Sequence, residues 1–386
     1  MNKILFITTR YPFPITGGDK LRAFDILKFL SKKNQIDLVC LGNENQKKDK
    51  NLVFCKNTKV FYLPLLSKIT NTIISFLKLE PLQNGYYLSS EMKNYISNIE
   101  NKYDTIVCHL LRSSQYMPEK FKGKKVLEVT DLLSSNYRQT INQLSILNPL
   151  KYLYFVEKIL VRRYEKNIFK KFKNIVFVSN KDSTKAKKSI SHKNKIFTIG
   201  NAKNFDKRLY KYKKNNNKII FIGNIKYLPN KLACKDFAKN ILKKINFKYP
   251  KIEFHIIGDI SLIDKLILKS YQNVIIHGKI KNLENVIKNS ICGVCNVKIS
   301  TGFQNKVLSY MGFGIPSIMS TNAHINTKFK QNSEVLVFKN NEEFINKIFL
   351  LKENKSKANK LSINSITAVK KKYNMNKILS KYNKII

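Results

Sequence analysis

The stretch GFQNKVLSYMGFGIP, residues 302–316, sets a glycine and three polar side chains ahead of an apolar run with helical spacing. Gly302 ends a strand-to-helix loop, and residues 303–306 form the expected first turn. The backbone N–H groups of such a turn have no partner inside the helix, and the aligned peptide dipoles make it electropositive. Gln304 and Asn305 add side-chain donors. Lys306 is unfavourable at that end of a helix unless an anion is bound there too. The pattern therefore points to a phosphate site, with a solvated polar turn as the plain alternative. A second glycine-marked helix start follows the first apolar run, where Gly17 and Gly18 precede LRAFDILKFLSK. Glycines there either let backbone N–H groups approach an anion or form a left-handed turn. Neither stretch is G-x-G-x-x-G or a Walker loop, so NAD and ATP binding find no support.

Other residues that can do chemistry sit at the ends of apolar runs. His109 closes TIVCH, with Arg112 one turn later; it is either a buried hydrogen-bonded histidine or a functional one. Asp131 closes KKVLEVTD, with Ser134 just behind, and reads as a helix cap or as a cleft carboxylate. His192, His255, His277 and His324 form no metal-spaced cluster, so no metal site is expected. The C-x-x-C at 292–295 has no second pair and lies in a strand-like run. It reads as a buried strand and not as a zinc or redox site. The six cysteines are expected to be free thiols.

The elements that must position these residues alternate in type. KILFITT (3–9) is a short buried strand, followed by a Pro/Gly-rich loop, a helix and the strand QIDLVCL (35–41). Further strands are expected at 60–63, 105–110, 124–131 and 174–180, with a long helix over roughly 150–172. After the polar interval 203–217 the alternation restarts, with strands at 218–224, 252–259, 273–280, 292–297 and 316–321. This β-α-β order predicts an α/β protein of two Rossmann-like, doubly wound domains facing across a cleft at the carboxyl ends of the strands. The expected division is 1–202, a linker at 203–217, 218–370, and a C-terminal helix at 371–386 returning to the first domain. In segment 62–79, Leu65, Leu66, Ile69, Ile73, Phe76 and Leu77 share one helical face. That face suits either a membrane surface or packing on the first sheet.

Over 386 residues, 72 Lys and Arg against 25 Asp and Glu give a net charge of +47. Such an excess suits an anionic membrane face or nucleic acid, unless it is compositional bias. The lysines are spread along the whole chain, and no zinc finger, aromatic-basic strand or compact basic region accompanies them, so no nucleic-acid partner is expected. No apolar run reaches the roughly 18–20 residues of a spanning helix and no signal peptide is visible, so a cytoplasmic location is expected; the basic excess is what would make it peripheral at the inner face of the cytoplasmic membrane.

Taken in order, RYPFPITGGDKLRAFDILKFL, PLQNGYYLS, HLLRSSQYM, TDLLSSNY, FVSNKDS, IGNAKNFD, FIGNIKYLPNKLACKDF, HIIGD and GFQNKVLSYMGFGIPSIMST make a specific set. The chain resembles glycosyltransferases of the two-Rossmann-domain (GT-B) type, family 4-like, nearest the bacterial polysaccharide branch with a Q-N-K motif. The resemblance implies a nucleotide-activated sugar held by the second domain and a glycan or lipid-linked acceptor received by the first. It implies transfer with retention and no metal or other cofactor. Gly17, Gly18, Gly302, Gln304, Asn305 and Lys306 would meet the donor phosphates, and Gly223 and Ser309 the nucleotide and its ribose. His109 would be catalytic, beside the donor sugar, with Arg112 and Asp131 on the acceptor or sugar side. There are departures. Two glutamates of the wider family fall here on Thr301 and Ser309, and an Arg and a Lys fall near Asn224 and Pro229. A serine cannot hold two ribose hydroxyls as a carboxylate does. The alternative is a degenerate GT-B protein that binds nucleotide or glycan without catalysis.

Overall fold

The computed structural model describes residues 1–43, 52–188, 195–204, 208–280, 282–298 and 303–386. Thr301, Gly302 and His192 lie outside the described residues. The chain divides into a first unit, Met1–Gly200 with Leu379–Ile386, and a second, Asn201–Ile378. The division falls at Gly200, ahead of the polar 203–217 interval. Where described, that interval is irregular but packed within the second unit: Leu209 and Tyr210 donate their N–H groups to Phe313 O, and Tyr210 is buried.

Each unit is built on a parallel sheet. The first has β1 (Lys3–Thr8), β2 (Gln35–Leu41), β3 (Asn57–Phe61), β4 (Thr105–His109), β5 (Lys124–Thr130), β6 (Asn174–Phe177) and β7 (Lys195–Thr198), in the order 3-2-1-4-5-6-7. The second has β8 (Lys218–Ile222), β9 (Glu253–Ile257), β10 (Val274–Gly278), β11 (Ser290–Cys295), β12 (Ser317–Ser320) and β13 (Leu336–Phe338), in the order 10-9-8-11-12-13. Both are Rossmann-like α/β domains. The near-unbroken apolar runs follow from burial on both faces of a parallel sheet: every residue of β4 and β11 is buried. All six cysteines are free and buried, and burial raises each thiol pKa. Cys292 and Cys295 both belong to strand β11.

The strand order reverses between β1 and β4 in the first unit and between β8 and β11 in the second. At such a switch the connections leave in opposite directions, and the carboxyl ends of the strands are left open for ligands. His109, the last residue of β4, pairs in register with Thr8, the last of β1. Gly223 directly follows β8.

Segment 62–79 forms α2 (Leu65–Leu77). Of the two expectations for it, packing on the first sheet is not what occurs. Only Ser75 of this helix is buried, and Leu65, Leu66, Ile69, Ile73, Phe76 and Leu77 are exposed. The helix that follows, α3 (Leu82–Tyr86), takes up the contact with α2 that the sheet does not make.

Candidate active site

In the first unit the candidate residues gather where β1, β4 and β5 end. Helix α1 (Gly18–Leu30) starts after Gly17, which is extended (φ −159°), so the left-handed turn considered for this pair does not form. A Cβ on Gly17 would lie 2.8 Å from Asp19 Oδ1, so the glycine leaves room for that carboxylate in the first turn. Arg10 Nη1 donates to Asp19 Oδ2 at 3.0 Å, and Arg112 Nη2 lies 3.9 Å from the same oxygen. Burial works against the Asp19 charge, but Arg10 and Arg112 hold its pKa below the usual carboxylate value. Tyr87 joins the two arginines: its hydroxyl accepts from Arg10 at 2.8 and 3.1 Å, and its ring lies 4.4 Å from the Arg112 guanidinium carbon. Arg112 also donates to Thr9 Oγ1 at 2.7 Å.

His109 is 1% exposed and stacks on Phe6, with ring centroids 5.8 Å apart. Its Nδ1 lies 3.3 Å from Thr8 Oγ1, while Nε2 has no hydrogen-bond partner among the described residues. Desolvation pushes its pKa down to about 3, so the ring is neutral at physiological pH. Leu110, immediately after it, and Thr130, at the end of β5, both adopt positive φ (75° and 72°). Non-glycine residues rarely do so, and such strain gathers where chain direction is forced at sites.

Asp131 caps no helix, since the following helix Leu133–Gln143 has Leu132 at its N-cap and no side-chain cap bond. Ser134 donates instead to Glu165, from its hydroxyl at 2.5 Å and its N–H at 3.2 Å. Asp131 Oδ1 is buried and unpartnered among the described residues. Desolvation, then the nearby Asp182, raises its pKa to about 7.

Behind these residues a buried network fixes the frame. Arg22 donates to Glu128 Oε1 (3.1 Å), Gly200 O (2.7 Å), Ile199 O (2.6 Å) and the Tyr382 hydroxyl (3.2 Å). Tyr382 in turn donates to Glu128 Oε2. This network ties Leu379–Ile386 into the first unit.

In the second unit, the helix Asn305–Gly312 begins after Gln304, whose side chain makes no cap bond. Tyr310 anchors it to the sheet: its hydroxyl accepts from Ile222 N at 2.8 Å and donates to Val294 O at 3.2 Å. Gly293 makes room, because a Cβ there would lie 2.3 Å from the Tyr310 ring. Lys306, expected at an exposed helix start, is buried, which corrects the solvated-turn alternative for this residue. Its Nζ donates to Asn230 Oδ1 at 2.7 Å and Gln304 Oε1 at 3.3 Å, and sits 4.6 Å from the Phe221 ring centroid. No carboxylate forms an ion pair with it among the described residues, and desolvation lowers its pKa. Gly223 lies at the same strand end. A Cβ on Gly258 (φ 137°) would lie 1.8 Å from Gly223 O, so this close approach requires glycine. Asn230 completes the turn by donating to Asn224 O at 2.8 Å. Ser309 is buried one turn along the helix; its hydroxyl donates to Asn305 O at 3.3 Å and accepts from Lys203 Nζ at 3.3 Å.

The structure thus groups Gly17, Gly18, His109 and Arg112 in one unit, with Asp131 at the end of neighbouring β5, and Gly223, Gln304, Asn305, Lys306 and Ser309 in the other. Sequence reasoning did not single out Arg10, Asp19 and Tyr87, nor Lys203, Phe221 and Asn230. Arg10 and Asp19 flank the glycine loop, which was a signal available in sequence. The other contacts are made only by folding. No group of three or more His, Cys, Asp or Glu side chains stands ready to hold a metal ion among the described residues.

Residues 216–354 match the family model described as "Glycosyl transferases group 1". A Klebsiella pneumoniae protein described as "Uncharacterized 44.6 kDa protein in cps region" is 25% identical over 241 residues, which is 60% of this chain and 58% of that protein's length. Among solved structures, sucrose-phosphate synthase from Thermosynechococcus elongatus superimposes with a TM-score of 0.73 at 12% identity, over 100% of this chain and 98% of that one. Anabaena HepE in complex with UDP and glucose gives a TM-score of 0.71 at 13% identity, over 100% and 99%. The fold is therefore GT-B, and its second unit carries the segment that matches a group 1 glycosyltransferase domain.

Proposed function

We propose that the protein is a glycosyltransferase. It moves a sugar, with retention of anomeric configuration, from a nucleotide-activated donor to a glycan or lipid-linked acceptor in cell-surface polysaccharide biosynthesis, at the inner face of the cytoplasmic membrane. The observation that carries this reading is Lys306. It is a buried cation with no carboxylate partner among the described residues, at a helix start inside the matched segment. A cation so placed stabilises charge developing on a leaving diphosphate, in a setting where water screens it little. Gln304 and Asn305 bring the first-turn N–H groups of the helix to the same anion, and in the first unit Gly17 and Gly18 offer backbone donors of the same kind at the start of α1. Gly223 leaves space for the base and Ser309 faces the ribose. In the first unit, neutral His109 offers a ring nitrogen to a sugar hydroxyl. Arg112 and Asp131 serve the sugar or acceptor, with Asp131 near the pKa of a proton carrier at neutral pH. The Klebsiella relative's place in a cps region supports the polysaccharide setting.

A second reading has one residue in its favour. Ser309 offers a ribose diol one neutral contact where a carboxylate would offer two charged ones, which suits a binding protein without turnover. A melting-temperature screen against nucleotide sugars tests the first part of the proposal, since a true donor raises Tm by mass action. Incubating the selected donor with the protein and following nucleoside diphosphate release then separates transferase from binder. A chain that no nucleotide sugar stabilises would overturn the transferase and the nucleotide-binding readings together.

A further inference from the structure

The surface of the first unit carries an apolar face that no described residue covers. Most of α2 is exposed; Leu66 is 77% exposed, Ile73 55% and Leu77 75%. The helix Pro149–Phe169 and the turn before it repeat the pattern, with Leu147 at 91%, Leu153 at 46% and Phe155 at 49%. The two belong to one layer, because α3 joins them. The N–H groups of Leu82 and Gln83 at its start donate to Glu157 of the long helix, at 2.9 and 3.4 Å. On its other side α2 comes so close that a Cβ on Gly85 would lie 2.2 Å from Asn71 O, and Asn71 donates to Leu88 O at 3.0 Å. Soluble monomers rarely leave contiguous apolar area of this kind open.

The charges around the face are mostly of one sign, with Glu80, just past α2, the exposed acid beside it. Residues 62–79 contain Lys68 and Lys78 and no acid, and residues 145–163 contain Lys151, Lys158, Arg162 and Arg163 against one acid, Glu157. Glu157 is buried and taken up by α3. Lys158 Nζ lies 4.3 Å from the Phe155 ring and Lys68 Nζ 5.7 Å from the Tyr86 ring, so apolar bodies and cationic tips occupy the same strip. A second copy presenting this face would bring like charges together. An anionic lipid monolayer matches both its apolar and its basic parts. No helix among the described residues is long and apolar enough to cross a membrane.

We propose that α2 and the amino-terminal half of the helix Pro149–Phe169 form one lipid-facing platform, which lies in the surface of an anionic bilayer with its leucines among the acyl chains. The platform deepens the lipid-linked-acceptor reading above but rests on observations of its own. The chain has no tryptophan, so one introduced residue is an unambiguous reporter. Leu66→Trp and Leu153→Trp test the platform, and Phe247→Trp, at a 95% exposed position in the second unit, is the control. With vesicles of phosphatidylcholine and phosphatidylglycerol, emission from both platform reporters should shift to shorter wavelength and that of the control should not. Vesicles of phosphatidylcholine alone should bind less, and added salt should weaken binding to the mixed ones. Replacing Leu66 and Leu153 by aspartate should lower vesicle affinity about tenfold or more per site. Equal shifts at all three reporters, or none at Leu66→Trp and Leu153→Trp, would overturn the proposal. So would blue-shifted emission without lipid that grows with protein concentration, because a second copy would then cover the face. Nucleotide-dependent melting of the same variants is read separately. If it is kept while insertion is absent, only the platform fails; if it is lost in the unmodified chain while insertion is present, only the transferase reading fails.

Discussion

Lys306→Met keeps most of the length of the side chain and removes its charge, at a position where the charge has nothing but neutral partners. Nζ sits 2.7 Å from Asn230 Oδ1 and 4.6 Å from the Phe221 ring centroid. If a diphosphate binds there, the lost charge-assisted hydrogen bond is worth about 1.5–3 kcal/mol, or roughly 10- to 150-fold in Kd. The stability of the free protein should change much less. Removing a buried cation relieves its desolvation, while leaving Asn230 Oδ1 without this donor costs about 1–3 kcal/mol, so the two effects oppose. The pH dependence gives an independent sign. Burial lowers the Lys306 pKa below its ordinary value. A bound anion raises it again, so binding takes up a proton, and affinity falls as pH rises through the depressed value. In the same window the unfolded chain holds a proton that the native one lacks, so the free protein gains stability as pH rises. Calorimetry with the nucleoside diphosphate chosen by the melting screen, at steps from pH 7 up to the ordinary lysine value of about 10.4, reads the binding. Undiminished affinity in Lys306→Met, or the same pH dependence in the variant as in the wild type, would refute the phosphate site.

His109→Ala should lower transfer far more than nucleotide binding; turnover within about twofold of wild type, worth only ~0.4 kcal/mol, would make it a structural histidine. Because its pKa is held down to about 3, the unfolded chain takes up a proton near pH 6.5 that the native one refuses. Stability should therefore fall on acidification from about pH 6.5 towards 3, and urea midpoints of His109→Gln should lose that part of the slope. Ser309→Glu should tighten donor binding by roughly 1–2 kcal/mol, by giving the ribose diol a carboxylate that Lys203 also supports. Weaker binding of every nucleotide by a folded variant would mean that the site takes something other than a ribose diol. Tyr382→Phe should cost about 1–3 kcal/mol in denaturant unfolding, by breaking the bond to buried Glu128, and should leave nucleotide affinity unchanged. A thiol reagent should label none of the six buried cysteines before unfolding, and early labelling would contradict their burial.

Most strands of both sheets were legible because parallel strands buried on both faces must be apolar almost throughout, as β4 and β11 are; the short edge strands β7 and β13 were not expected. Helix starts marked by glycine or amide residues were legible for the same local reason. What escaped was set by tertiary contact. Nothing near Lys306 in sequence says that Asn230 will reach it, and the lysine itself reads as exposed until the Phe221 ring is placed beside it. The apolar stripe of α2 has the period of a core helix, and periodicity alone does not reveal which side the protein covers. Asp131 showed the same limit in reverse: the serine that would have made it a cap turns to Glu165, seated on a helix thirty residues on.

The Arg22–Glu128–Tyr382 network has a consequence for how the chain is made. The first unit is written in two pieces, and the whole of the second is translated between them. Until Tyr382 has left the ribosome, Arg22 and Glu128 lack a hydrogen-bond partner that each holds in the finished unit. At roughly 5–20 residues per second, the interval is on the order of ten seconds or more. During it the nascent first unit is open at that seam while the second is already able to fold. The half that begins first is sealed only after the second has been made, and a chain stalled short of Tyr382 carries an unsealed frame.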